Sequence, residues 1–284
     1  MSNKILYIRT ENLNFFYRIN KELTRLNINF DVLNVSDKIP ELPSVILTTS
    51  EEVHKIKKHN EKIKILAYSY KENFQHYVLK VLAANKIKYK EYYSDLLFSI
   101  DPGTKQIGIV IFLDDMFLMS HTIFDKSKFI EFITDKVDSF QKDNPFLLKL
   151  DFKFGSGVLP LTIELLNKIY DHFGEREHMK VFLINESKSS KTKIKDKKKR
   201  IKTKHEMSAL ILALRKGLEI NHTNYPKIFK QFKIKDSNFE NENNVTPAEL
   251  NDSSLDLKNL IDKILNNQIS LSQSSETIYG NIMN

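Results

Sequence analysis

Residues 98–112 read Phe-Ser-Ile-Asp-Pro-Gly-Thr-Lys-Gln-Ile-Gly-Ile-Val-Ile-Phe, and no other stretch of the chain restricts its fold as tightly. An apolar run delivers one carboxylate, Asp101, into a Pro-Gly turn, and a second apolar run leaves that turn at once. Two such runs around a turn predict a β-hairpin of buried strands. A charge inside that hairpin is costly unless something pairs with it. A bound cation is one natural partner. The plainer alternative is that Asp101 caps the turn, a common place for Asp.

The pattern on either side predicts two folded units. Over residues 1–95, strands are expected at 4–9, 30–35, 45–48 and 63–68. Helices are expected at 13–26, where Leu13, Phe16, Ile19, Leu23 and Leu26 repeat at helical spacing, and at 74–85. Thr49 and Glu52 read as a capping box opening a further helix over 50–59. This alternation predicts a small, largely parallel three-layer α/β domain. It contains no glycine and so no Gly-rich phosphate loop, and Asp31, Asp37 and Glu41 form no recognisable set.

Residues 96–220 form the second domain. After the hairpin come a strand at 117–124, a helix at 127–141, a strand at 146–154, Gly155-Ser156-Gly157 and a helix opening near Pro160. A strand at 180–185 and a helix at 205–218 complete it, predicting a mixed sheet with helices on its faces. Lys149, Asp151 and Lys153 alternate with apolar residues, which predicts a solvated or phosphate-facing sheet surface. Residues 221–284 are expected to hold a polar linker at 237–244 and an amphipathic helix at 255–265 behind Ser253 or Ser254. Before them, 227–235 interleaves lysines with apolar and aromatic residues. An unstructured tail is expected at 270–284.

Charge is concentrated in one place. The net charge is +8, yet residues 188–204 carry ten basic residues and one acid, +9, which leaves −1 for the rest. Lys188, Lys191, Lys193, Lys197, Lys198, Lys199, Arg200 and Lys202 are therefore the candidate phosphate-gripping residues, although charge runs are also commonly just solvated. There is no cysteine, which excludes disulfides and Cys-based zinc sites. No apolar run reaches the ~20 residues of a membrane span, and no signal-peptide pattern opens the chain. A cytoplasmic protein with no membrane contact is expected.

Three elements of the second domain end in residues that could share a site: Asp101 after the first strand, Glu186 after Val181-Phe182-Leu183-Ile184, and His205 at the start of the last helix. In α/β sheets ligands gather beyond strand ends. Divalent ions held by such acids stabilise phosphoryl charge and activate water. At 100° per residue, His205, Ser208, Ala209 and Leu212 share one stripe of the helix. That stripe is small enough to lie close to the sheet, whereas Glu206 falls at the edge of the bulkier stripe.

Ile-Asp-Pro-Gly-Thr-Lys-Gln-Ile-Gly-Ile-Val resembles the first motif of the RuvC/YqgF branch of the RNase H-like superfamily, which includes Holliday-junction resolvases. Asn185-Glu186-Ser187 is similar to its Glu after the fifth strand, and the run from His205 to Leu214 to its final helix. The resemblance spans about residues 96–218. It implies an RNase H-like fold and metal-dependent cleavage of branched or structured nucleic acid. Asp101, Glu186 and His205 would then be Mg²⁺ or Mn²⁺ ligands and catalytic groups, in a two-fold dimer. His205 stands where the family has an acid, and Ser208 where resolvases have a second. A nucleic-acid-binding scaffold that has lost catalysis is the alternative. The Asp-x-Gly-Thr phosphate loop of the actin and sugar-kinase fold is also matched, but the Gly-rich adenosine site of that fold is missing.

Overall fold

The computed structural model describes residues 5–34, 37–38, 43–56, 62–185, 200–225, 227–229 and 254–280. The chain divides into two units: Met1–Tyr92 with Asp135–Asp143, and Tyr93–Thr134 with Asn144–Asn284. The division falls three residues earlier than expected from the sequence, and the C-terminal segment belongs to the second unit.

In the first unit, β1 (Ile5–Ile8), α1 (Leu13–Arg25), β2 (Asp31–Val32), β3 (Ser44–Thr49), β4 (Ile63–Tyr68) and α2 (Phe74–Ala83) follow one another. The sheet order is β2-β1-β3-β4 and every pairing is parallel. The Asn12 side chain caps α1 by accepting from the Phe15 amide, and the stripe Phe15, Ile19, Leu23 is buried. The Phe15 ring meets both Tyr68 of β4 and Tyr77 of α2, at centroid distances of 5.7 and 5.8 Å.

Two local expectations are corrected in this unit. Instead of a helix over 50–59 there is a single 3-10 turn, Val53–Lys55, followed by residues outside the described set. Glu52 caps no helix. Its carboxylate accepts from Thr10 Oγ1, from the Glu11 amide at 2.6 Å and from Thr49 Oγ1 at 2.8 Å, tying the end of β1 to the end of β3. Helix α2 runs into a π-turn at Ala84–Lys88 rather than ending at 85.

The second unit is built on β5 (Asp95–Pro102), β6 (Ile107–Leu113), β7 (Met116–Ile123), the first part of α3 (Phe129–Gln141, of which the residues from Asp135 on belong to the first unit), β8 (Lys149–Gly155), α4 (Leu159–Phe173), β9 (Met179–Ile184), α5 (Lys204–Ala213) and β10 (Leu218–Ile220). Two further helices, α6 (Ser254–Leu265) and α7 (Leu271–Gly280), close the described chain. The six strands lie in the order β10-β9-β8-β5-β6-β7. β5, β6 and β7 form the antiparallel meander, while β8 and β9 extend the sheet in parallel from the other side of β5. This mixed α/β sheet with helices on its faces is compatible with the RNase H-like fold.

Strand alternation sorts the side chains to two cores. Toward α3 and α4 lie the Phe98–Phe152 stack (5.3 Å) and the contacts of Phe152 with Phe173 and of Phe129 with Phe154. On the opposite face Val110 and Phe112 join Met207, Leu210 and Ile211 of α5, its C-cap Leu214, and Leu257, Ile261, Ile264, Leu265 and Leu271 of α6 and α7. Helix α5 is thus enclosed by the sheet and by α6–α7, which is why it is apolar nearly all round.

That enclosure overturns the expected unstructured tail. Residues 271–280 are helical, and the N-terminus of α7 is held by the β6–β7 turn. The Leu271 amide donates to the Asp115 carbonyl at 2.9 Å, and the Ser272 amide donates to the Asp115 carboxylate at 3.1 Å. The expected linker at 237–244 lies outside the described residues. Helix α5 stops at Ala213 instead of 218, because the chain turns back to add β10 to the sheet. Gly217 permits that turn: a Cβ there would lie 2.4 Å from Ile184 Cδ1. Among the described residues no helix is long and apolar enough to cross a membrane.

Candidate active site

Asp101 closes β5, opposite Gly108 of β6. It faces α5, the side on which the sheet carries Ser99, whose hydroxyl donates to the Ala209 carbonyl at 2.6 Å. The first turn of α5 lies directly on Gly108, where a Cβ would stand 2.2 Å from the backbone carbonyl of His205. At Gly103 a Cβ would meet His205 Cε1 at 2.4 Å. Neither glycine has a positive φ. Both are needed because helix and imidazole come so close, not because of the turn itself.

In that space His205 Nδ1 and Asp101 Oδ2 are 2.7 Å apart. Asp101 is 6% exposed. Burial raises its carboxyl above the ordinary carboxylate value, against the opposing effects of the His205 hydrogen bond and the Lys204 ammonium. Among the described residues neither Asp101 Oδ1 nor His205 Nε2 has a hydrogen-bond partner. A carboxylate oxygen and an imidazole nitrogen are donors that Mn²⁺ accepts, with oxygen ligands preferred by Mg²⁺. Among the described residues no group of three metal-ligating side chains occurs. Glu186, the third expected ligand, lies outside them.

Glu206, expected at the edge of a stripe, is 2% exposed. Its carboxylate faces β7, away from Asp101. It accepts from Thr122 Oγ1 at 2.6 Å, from Ser120 Oγ at 2.7 Å and from the Lys202 amide at 2.8 Å. Thr203 caps α5 by accepting from the Glu206 amide at 3.1 Å. Since Thr122 uses its proton on Glu206, the 2.9 Å contact between Thr122 and Thr203 is donated by Thr203. Sequence reasoning missed this set, although Thr203-x-x-Glu206 carries the same capping signature as Thr49 and Glu52.

The cationic residues divide. Lys188, Lys191, Lys193, Lys197, Lys198 and Lys199 lie outside the described residues, and Lys202 is exposed. Arg200 is corrected. Its guanidinium is held by Asp262 of α6 and by Asn266 just past the end of that helix, at 2.6 Å each, and the adjoining Ile201 is buried in the α5–α6 core. It braces α6 instead of facing solvent. Ser208, at the position of the missing acid, is half-buried.

Lys153 is corrected as well, since it is not on a solvated face. Its ammonium donates to the carbonyls of Ala213 and Arg215, the last being at 2.9 Å, and so caps the C-terminus of α5. Burial lowers it from 10.5 to about 8, with Asp151 and Asp115 opposing. The unfolded chain therefore holds more protons than the folded one between those values, and stability rises with pH across that window. Relative to Lys153→Met, the unfolding free energy of the wild type is expected to grow by about 3 kcal/mol from pH 8 to 10.5. Urea unfolding of both proteins at each pH checks this; parallel pH profiles would refute it.

No protein-family model and no curated protein matches the chain. Among solved structures, the A. aeolicus Argonaute is similar at 14% identity over 64% of this chain and 34% of that one, with a TM-score of 0.21. Aa-Ago with externally bound siRNA gives 13% identity, coverages of 64% and 35%, and a TM-score of 0.21. The Aquifex aeolicus member of the Ppx/GppA family gives 11% identity, coverages of 70% and 68%, and a TM-score of 0.14. The chain spans about a third of the length of the two Argonaute chains. Likenesses of this size assign neither family nor activity.

Proposed function

We propose that this chain is a metal-dependent endonuclease that hydrolyses phosphodiester bonds in branched or otherwise structured nucleic acid. The observation that carries the reading is the Asp101–His205 contact at 2.7 Å, at the end of the central strand and under the first turn of α5. It brings together two residues 104 positions apart that the motif pattern singles out independently. The cationic segment runs between β9 and α5, so its phosphate contacts would be made next to that pair. A bound Mn²⁺ or Mg²⁺ would supply phosphoryl-charge stabilisation and an activated water. Asp101 and His205 are the residues that would hold it, with Glu186 as the proposed third ligand.

A second reading is a nucleic-acid-binding protein with weakened catalysis. The direction of Glu206 favours it: that carboxylate is spent on β7, and Ser208 supplies none. The test is nicking of four-way-junction and looped DNA by the full chain with Mn²⁺ and with Mg²⁺. Cleavage that Asp101→Asn abolishes supports the endonuclease. Binding by both proteins with cleavage by neither, under either metal, selects the second reading.

Salt dependence tests the grip separately. Neutralising Lys188, Lys191, Lys193 and Lys197 together is expected to flatten the plot of log affinity against log salt by ~0.9 for every phosphate the protein no longer neutralises. An unchanged slope would reduce the segment to a solvated loop.

A further inference from the structure

We infer that Glu206 is a positioning residue for His205. The helix that carries His205 begins only one residue earlier, and first turns fray unless their free amides are satisfied. Here the turn is seated from two sides. Gly108 leaves room for its backbone on β6. Glu206, the next residue, draws it to β7 through Ser120 and Thr122, and draws the chain leading into the helix through the Lys202 amide. Ser120 Oγ, which gives its proton to Glu206, also lies 3.1 Å from the Arg200 carbonyl, so one hydroxyl touches both the segment before the helix and the helix itself. Glu206 and His205 share one backbone turn. A shift that breaks the Glu206 contacts therefore carries the imidazole off Asp101, whose own position is fixed by the β5–β6 ladder.

The cluster has few degrees of freedom. Thr203 donates to Thr122, Thr122 donates to Glu206, and the Glu206 amide donates back to Thr203, a closed circuit of three hydrogen bonds. Glutamine at 206 keeps the size but turns one acceptor into a donor, which opposes the hydroxyl or the amide it must meet. Removing the hydroxyls from β7 breaks the same contacts without touching α5.

The role of Glu206 in catalysis rests on the endonuclease reading, whereas its role in placing His205 can be read without turnover. The experiment compares wild type, Glu206→Gln, Ser120→Ala and the Ser120→Ala/Thr122→Val double variant, all as full chains. The first readout is the NMR signal of the His205 Nδ1 proton bonded to Asp101, assigned by its loss in His205→Gln. The second is junction cleavage resolved into kcat and KM. Glu206→Gln and the double variant are expected to shift or lose that signal and to lower kcat 10–100-fold with KM within two-fold. Combining them should cost little more than either alone, because both break one cluster. The milder Ser120→Ala keeps the test open if the others unfold. An unmoved signal, or a lowered melting temperature with kcat unchanged, would overturn the inference and leave Glu206 as a fold-holding residue. If the wild type cleaves nothing, the endonuclease reading falls, and the NMR signal alone decides whether Glu206 places His205.

Discussion

Gly108→Ala is expected to destabilise the second unit by about 3 kcal/mol, roughly 10 °C in melting temperature, and to abolish activity. The added methyl would stand 2.2 Å from the carbonyl carbon and oxygen of His205 and 2.6 Å from the Glu206 amide. These are backbone atoms, so no rotamer change relieves the clash, and α5 must lift away from β6. Lifting it breaks the Asp101 contact and strips three donors from the buried Glu206 carboxylate. Gly103→Ala is the informative contrast. Its closest conflict is with the His205 ring at 2.4 Å, which can swing aside, and otherwise with the Gln106 carbonyl at 2.6 Å. It should cost less stability than Gly108→Ala while still separating His205 from Asp101. Thermal melts of the two variants check this, and equal melting temperatures for Gly108→Ala and wild type would contradict it.

Asp101→Asn is expected to abolish cleavage and at the same time to raise the melting temperature. The carboxylate is 6% exposed, and burial opposes its ionised form more strongly than His205 and Lys204 favour it. Asparagine keeps the shape and an acceptor for His205, and it removes the buried charge. A site held together at some cost in stability is the usual mark of a position kept for chemistry. Were Asp101 only the cap of its turn, the substitution would leave any cleavage intact. Calorimetry at pH 7 beside the nicking assay separates the outcomes, and a lower melting temperature would argue that the carboxylate is structural.

The central hairpin was legible because its information is local: two unbroken apolar runs and one turn set β5 and β6, and helical spacing set α1. Where the deciding partner is distant, the sequence pattern misled. The stretch Ser-Leu-Ser-Gln-Ser-Ser-Glu looks like a tail, yet its cap is Asp115, 157 residues away. Glu206 looked like a helix edge because its hydroxyl donors lie 84 and 86 residues earlier, on β7. Lys153 fitted a solvated alternation until the end of α5 was placed over it. The residues themselves suggested that Asp101, Glu186 and His205 meet, through a carboxylate stranded in a hydrophobic hairpin, a second after an apolar strand and a histidine on a small-residue stripe; of the three, Asp101 and His205 lie among the described residues, 2.7 Å apart.

The most direct measurement of that pairing's purpose is a crystal of the full chain soaked in Mn²⁺ and recorded for anomalous scattering. An anomalous peak within coordinating distance of Asp101, Glu186 and His205 is the expected result. A peak elsewhere, or Glu186 directed to another surface while Asp101 and His205 bind no ion, would contradict the proposed metal site.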